Sequence, residues 1–255
     1  MTNTEETHCY GPILDENFRS LDLYLLPNST KDSPLVVFVH GGAWRSEDKK
    51  DYQELARGFN ELGISAASVN YRLSLKKNPE DVPEIRHPDH IVDVGKAIEY
   101  LYHASNERYD PCKIFVVGHS AGAHIALMLL LDTQLPYHQY IQGVIGVSGI
   151  YDIPLLIKTF PSYIDFIEQA FGSDQASYYD ASPVSKTTSE LGNKPVIIAH
   201  SSEDSLIDVQ QVEVMYHHLS KFHSNVVLDM TIKGDHYDIM RTGKLKHLVQ
   251  QIIVI

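Results

Sequence analysis

Three side chains far apart in this sequence have the types that acyl transfer needs. Ser120 is the centre of Gly118-His119-Ser120-Ala121-Gly122, which follows the apolar run Ile114-Phe115-Val116-Val117 and precedes a helix-forming run over residues 121–131. A G-x-S-x-G pentapeptide carries little weight alone. Between a buried strand and a helix it has the setting of a nucleophile elbow, a turn so tight that the central residue is strained and the flanking glycines let the backbone pass. A serine hydroxyl is a poor nucleophile at neutral pH, so it needs a base, and the base needs an acid to orient it. After an elbow the expected chain order is Ser, then Asp or Glu, then His. Asp204 ends His200-Ser201-Ser202-Glu203-Asp204, just past a strand-like run, where the acid should be. Glu203 should point away from its neighbour, and Asp208 suits capping a helix that begins near Val209. His236, in Gly234-Asp235-His236-Tyr237 ahead of the closing helical segment, is one of 14 histidines and is singled out by its location.

A fourth feature is His40-Gly41-Gly42-Ala43-Trp44, directly behind the apolar run Leu35-Val36-Val37-Phe38-Val39. Its glycines permit unusual backbone directions, so the N–H groups of Gly42 and Ala43, with that of Ala121, could converge on a developing oxyanion. His87 and His90 have a spacing that can present two metal ligands, but Pro88 stands between them and no third ligand is evident, so neither metal nor organic cofactor is expected.

These groups need a scaffold that brings remote loops to one edge. Leu21, Leu23 and Leu25 alternate with more polar residues, as in a half-buried strand. Runs over 35–39, 64–69, 114–117, 144–147, 195–199 and 226–232 read as further strands. Residues 52–62, 91–101, 121–131, 209–222 and 237–254 read as helices. Alternating strands and helices argue for an α/β fold with a mostly parallel central sheet and helices on both faces. Reactive residues of such sheets lie beyond the carboxyl ends of the strands. Residues 151–191 differ in kind, being rich in aromatics and proline, and are expected to form a small helical cap insertion within a single domain spanning residues 1–255.

The 255 residues suffice for one large core without disulfide or metal staples. The only cysteines are Cys9 and Cys112, which suits a reducing compartment. The N-terminus is polar and acidic, with neither a basic nor an apolar leader region, and no apolar run is long enough to span a membrane. A cytoplasmic location is therefore expected. The formal net charge of −12 argues against nucleic acid or an anionic membrane as partner. A homodimer is left open.

Along most of its length the chain resembles the α/β-hydrolases that share a His-Gly-Gly-x-Trp loop, a group holding kynurenine formamidases, prenylcysteine methylesterase-like proteins and small carboxylesterases. The resemblance is carried by His40 to Trp44, Tyr71-Arg72-Leu73, Gly118 to His124, Ser148-Gly149-Ile150-Tyr151-Asp152 and Asp235-His236-Tyr237. Asn70 stands where related hormone-sensitive-lipase-like esterases often have aspartate. The resemblance implies an α/β-hydrolase fold, a Ser120–Asp204–His236 triad and an oxyanion hole that takes in the Gly41–Ala43 backbone. It also implies a small ester or N-formyl arylamide substrate. A non-catalytic ligand-binding protein on the same fold is the alternative; a related peptidase would need an extra domain for which the chain has no room.

Residues that could shape such a substrate site are Trp44, Tyr151, Phe160, Tyr163 and Phe166, each equally explicable as a packing residue. Arg45, Arg72 and Lys158 could meet a substrate carboxylate, although surface ion pairing is their more ordinary role.

Overall fold

A computed structural model describes residues 4–12 and 17–254. Among these, eight strands form one sheet: β1 (Thr4–Cys9), β2 (Ser20–Leu25), β3 (Leu35–Val39), β4 (Ser65–Val69), β5 (Ile114–His119), β6 (Gly143–Val147), β7 (Val196–Ala199) and β8 (Val226–Asp229). Their spatial order is β1-β2-β4-β3-β5-β6-β7-β8. The β1–β2 and β2–β4 pairs are antiparallel, and every later pair is parallel. The helices are α1 (Gln53–Asn60), α2 (Asp89–His103), α3 (Ala121–Leu131), α4 (Ile153–Thr159), α5 (Ile164–Phe171), α6 (Val209–Leu219) and α7 (Gly243–Val254).

The central strands are covered on both sides, and for this reason they read as unbroken apolar runs. Leu35, Val37, Val39, Ile114, Val116 and Ile198 face a core shared with α2, α3 and α6. Their neighbours Val36, Phe38, Phe115, Val117 and Ile197 face a second core shared with α1 and α7. The crossover from β3 to β4 runs toward the β1 edge, whereas those after it run the other way. With right-handed crossovers, that reversal puts α1 on the face opposite α2, α3 and α6. The reversal also makes the carboxyl ends of β3 and β5 a topological switch point, where open α/β sheets bind ligands.

One strand escapes the sequence reading. Thr4–Cys9 is polar and largely exposed, and it joins the sheet edge through backbone pairing with β2. The closing segment begins with a 3-10 turn, Asp238–Arg241, before α7. Residues 151–191 run between β6 and β7 as α4, a 3-10 turn at Pro161–Tyr163, α5 and further short turns. Among the described residues no helix is long and apolar enough to cross a membrane, and no group of three or more His, Cys, Asp or Glu could hold a metal ion. Cys9 and Cys112 are both free and exposed.

Candidate active site

Ser120 ends the turn from β5 into α3 with φ 53° and ψ −118°, a conformation L-residues avoid. Such strain costs about 1–3 kcal/mol and persists only where the surroundings enforce it. Here they do. The Ser120 N–H donates to the Val147 carbonyl at 2.9 Å, tying the turn to β6. A Cβ on Gly118 would overlap the Gly122 carbonyl, and one on Gly122 would overlap the carbonyl oxygens of Val39 and His40. The start of α3 therefore lies directly against the end of β3, with no room for side chains between them.

Asp204 and His236 arrive from the loops after β7 and β8. The His236 Nδ1 lies 2.9 Å from Asp204 Oδ2 and 3.1 Å from Oδ1. Asp204 Oδ1 also accepts from the backbone amides of Leu206 and Ile207 at 2.9 and 3.0 Å. Burial works to raise the Asp204 carboxyl, but hydrogen bonds from His236, the Ile207 amide and Ser148 outweigh it and hold the group down at about 2. The carboxylate is thus ionised across the physiological range and fixes Nδ1 of the imidazole as the protonated nitrogen. The two loops are braced together by Asp235, whose Oδ1 accepts from the Ser205 amide, the Ser205 hydroxyl and the His236 amide at 2.8, 2.7 and 2.8 Å. A further brace comes from the elbow itself, where the buried His119 ring bonds through Nε2 to the His236 carbonyl at 2.9 Å. Glu203 and Asp208 do other work: Glu203 accepts from the Gly234 amide, and Asp208 caps α6.

The loop after β3 makes an unusual left-handed turn, with φ of 78°, 50° and 57° at Gly42, Ala43 and Trp44. Its shape is held by the Gly42 carbonyl, which accepts from the amides of Arg45 and Ser46, both at 3.0 Å. The Gly42 and Ala43 N–H groups donate to no acceptor among the described residues. The Ala121 amide is in the first turn of α3, where no intrahelical acceptor exists. Gly41 departs from the expectation. Its N–H is taken by Glu47 Oε2 at 3.1 Å, which also accepts from the Tyr52 hydroxyl at 2.6 Å. Gly41 is therefore not an oxyanion donor. It matters for what it lacks, since a Cβ there would lie 2.9 Å from the Ser120 Cβ. Burial pushes the Glu47 carboxyl up from its ordinary range.

Ser120, His236, Gly42 and Ala43 border one cavity of about 340 Å³, with Ile150, Tyr163, Phe166, Leu206, Ile207 and Tyr237 as its apolar and aromatic lining. Of the aromatic residues expected to meet substrate, Tyr163 and Phe166 are there, the Tyr163 hydroxyl donating to the Leu206 carbonyl at 3.1 Å. The others are corrected. Trp44 is fully buried, edge-on to His124 and Phe171 at 5.1 and 4.9 Å, because its positive φ turns the side chain under the loop. Tyr151 is also fully buried, and its ring occupies the space left by Gly146 and Gly149. Phe160 stacks on Tyr163 at 4.8 Å behind the cavity wall and does not line it. Arg72 is spent on buried Asp93, while Arg45 does reach the cavity. Unanticipated lining residues include Leu206 and Ile207, whose position directly after the acid was the available signal. Glu47 was also missed; nothing in one dimension links it to Gly41.

Residues 21–219 match the family described as BD-FAE, a span that takes in the β3 loop, the elbow and Asp204. The chain is 33% identical over 230 residues to a protein from Meyerozyma guilliermondii named kynurenine formamidase, covering 86% of this chain and 83% of the relative. It is 26% identical over 249 residues to the probable carboxylic ester hydrolase LipM of Mycobacterium tuberculosis, covering 89% of this chain and 55% of that protein. Thermogutta terrifontis esterase 2, solved phosphonylated by sarin, superposes with a TM-score of 0.78 at 19% identity over 98% of this chain and 94% of its own.

Proposed function

Since this chain belongs to the BD-FAE family of α/β-hydrolases and is a hydrolase of the ester or formamide type, we propose that it is a serine hydrolase that cleaves N-formyl arylamines, and small carboxylic esters by the same route, through an acyl-enzyme. The observation that carries this reading is the buried Asp204–His236 pair at 2.9 Å, opening on the same cavity as a strained Ser120 and two amides without acceptors. With Asp204 holding Nδ1–H, the His236 Nε2 is left as the base. It takes the Ser120 proton as Oγ attacks the formyl carbon, and the carbonyl oxygen gains its negative charge against the amides of Gly42, Ala43 and Ala121. Nε2–H then protonates the departing arylamine nitrogen or ester oxygen, leaving a formyl or acyl ester on Ser120. Water attacks that ester with the same base and donors, and the free acid leaves.

Each oxyanion donor in such sites is worth roughly a hundred- to a thousandfold in rate. An aromatic and aliphatic lining suits a flat aryl leaving group. The likeness to a protein named kynurenine formamidase is what favours the formamide among acyl substrates. The negative net charge opposes nucleic-acid and membrane partners, and two exposed free cysteines fit a reducing cytoplasm. The test is paired. A fluorophosphonate probe should label the wild type and leave Ser120→Ala unlabelled. N-formyl-L-kynurenine and p-nitrophenyl acetate should both be turned over by the protein that labels. Labelling that persists in Ser120→Ala would move the nucleophile elsewhere.

A further inference from the structure

Resting on the serine-hydrolase reading, we propose that Ser148 and His200 are positioning residues that act on His236 through Asp204, as a second relay from imidazole to carboxylate. Ser148 is the first residue after β6 and His200 the first after β7, so both stand at the carboxyl ends of strands beside the acid loop. Both are buried, and neither takes part in the acyl-transfer steps. Ser148 holds φ 45°, the left-handed region that glycine adopts freely and serine does not. Its backbone is tied down on both sides. The Ser148 amide donates to the Ala199 carbonyl at 2.9 Å, and the Ile150 amide reaches the Ser120 carbonyl at 3.5 Å. A non-glycine residue kept in a strained conformation points to a use for its side chain.

That side chain lies between two ionisable groups. Ser148 Oγ is 3.2 Å from His200 Nδ1, and the hydroxyl also hydrogen-bonds the Asp204 carboxylate. His200 Nδ1 is 4.0 Å from Asp204 Oδ2, too far for a direct hydrogen bond. The proton positions follow from what each group can offer. Asp204 is ionised and can only accept, so the single Ser148 proton goes to it. The hydroxyl then has only lone pairs for His200, whose Nδ1 must carry the ring proton. Burial lowers the His200 pKa, so the ring stays neutral and holds that one proton. Donors thus run from His200 to Ser148 to Asp204 and meet the His236 Nδ1–H arriving from the other side. The relay keeps the carboxylate from turning away from His236 and draws off part of the charge it presents to that ring. Among the described residues, the other titratable groups facing this line are His119 against His236, Asp235 in the His236 loop, Glu47 and Tyr237 beside the cavity, Tyr163 near Asp204 and Asp208 near His200. All of them remain in the variants that follow.

The test follows the His236 ring both with and without turnover. Its protonation is titrated by NMR, and the acid limb of kcat/KM is recorded for p-nitrophenyl acetate. Ser148→Ala returns the full carboxylate charge to His236, so the midpoint of the ring titration should rise by about half a pH unit to one unit, and the acid limb should rise with it. At the plateau, kcat should fall about tenfold, the worth of one hydrogen bond to a charged group, with KM unchanged. Ser148→Gly removes the hydroxyl together with the backbone strain, so it should show the same shift while melting no lower than Ser148→Ala. His200→Phe should move the midpoint the same way but less, and His200→Asn, whose amide can place an N–H where Nδ1 stands, should restore the wild-type profile. Ser148→Ala combined with His200→Phe should shift no further than Ser148→Ala alone, because one residue acts through the other. No shift in Ser148→Gly or His200→Phe, additive shifts in the double variant, or no recovery in His200→Asn would overturn the relay and leave the hydrolase reading intact. A wild type that turns over neither ester nor formamide, while the ring titrations still shift as described, would remove the hydrolase reading and keep the relay.

Discussion

Replacing Asp204 by asparagine tests the proposed chemistry most sharply, because it keeps shape and removes one charge. In the wild type the carboxylate accepts from His236 Nδ1 at 2.9 Å and from two backbone amides, and its pKa is held at about 2. An asparagine oxygen can keep the two amides, which turns its NH2 toward Nδ1. Two donors cannot share that contact, so the imidazole must present a lone pair at Nδ1 and carry its proton on Nε2. It then has no lone pair facing Ser120. The wrong tautomer and the loss of a charge opposite the imidazolium together should lower kcat by about 10³–10⁴. The fold should survive. The folded carboxyl lies below its ordinary 3.8, so its stabilisation is full above about pH 4, is lost only as pH falls toward 2, and amounts to about 2 kcal/mol at pH 7. The assay is p-nitrophenyl acetate turnover, normalised by titrating active serine with the phosphonate and checked against thermal melting. Because the groups act as a unit, Asp204→Asn combined with His236→Ala should be no slower than His236→Ala alone. A folded Asp204→Asn protein retaining more than a tenth of wild-type kcat would refute the reasoning.

Gly41→Ala should leave melting nearly unchanged but cut kcat by about a hundredfold, since the new Cβ, 2.9 Å from the Ser120 Cβ, must push the elbow or the donor loop out of register; a twofold effect would mean the loop yields freely. Glu47→Leu should remove the acceptor of the Gly41 amide and the Tyr52 hydroxyl, lowering kcat more than it raises KM, whereas Glu47→Gln, able to accept both, should recover most of the rate. Acid should unfold the protein early. Burial holds His40 and His87 at about 4 and His90, His119 and His124 at about 3, so their stabilisation is present above 6.5 and is lost as pH falls through that window. All five shifts act in the same direction, so the melting temperature should fall between pH 7 and pH 5; circular dichroism showing an unchanged melting temperature over that range would contradict it.

The parts of the molecule that could be read in advance are those fixed by local pattern. Double-sided burial gives β3 and β5 their unbroken apolar runs, and the crowding at Gly118 and Gly122 is written into the pentapeptide. Asp204 and His236 were legible because their loops follow strands. What could not be read depends on where a side chain points after a turn. Trp44 looks like a pocket wall beside the donor loop, yet three successive positive φ angles carry it into the core. Gly41 looks like a donor until Glu47, from farther along the loop, claims its amide. Tyr151 fills room left by two glycines on neighbouring backbone, an arrangement no periodicity encodes. β1 was invisible for the opposite reason, since an edge strand can be held by main-chain pairing with almost no apolar content.

The segment between β6 and β7 leaves and rejoins the sheet at adjacent strands, while Ser120, Asp204 and His236, the proposed nucleophile, acid and base, follow β5, β7 and β8. Because those strands are parallel, its two ends are held at opposite ends of neighbouring strands, a fixed strand length apart whatever the length of the segment, and lengthening such a connection twofold costs only about 0.6 kcal/mol. On the proposed mechanism, the residues that break the acyl bond and the cavity wall formed by α5 and the turn before it can consequently diverge at separate speeds, so that a redrawn wall switches leaving groups without disturbing the bond-breaking groups.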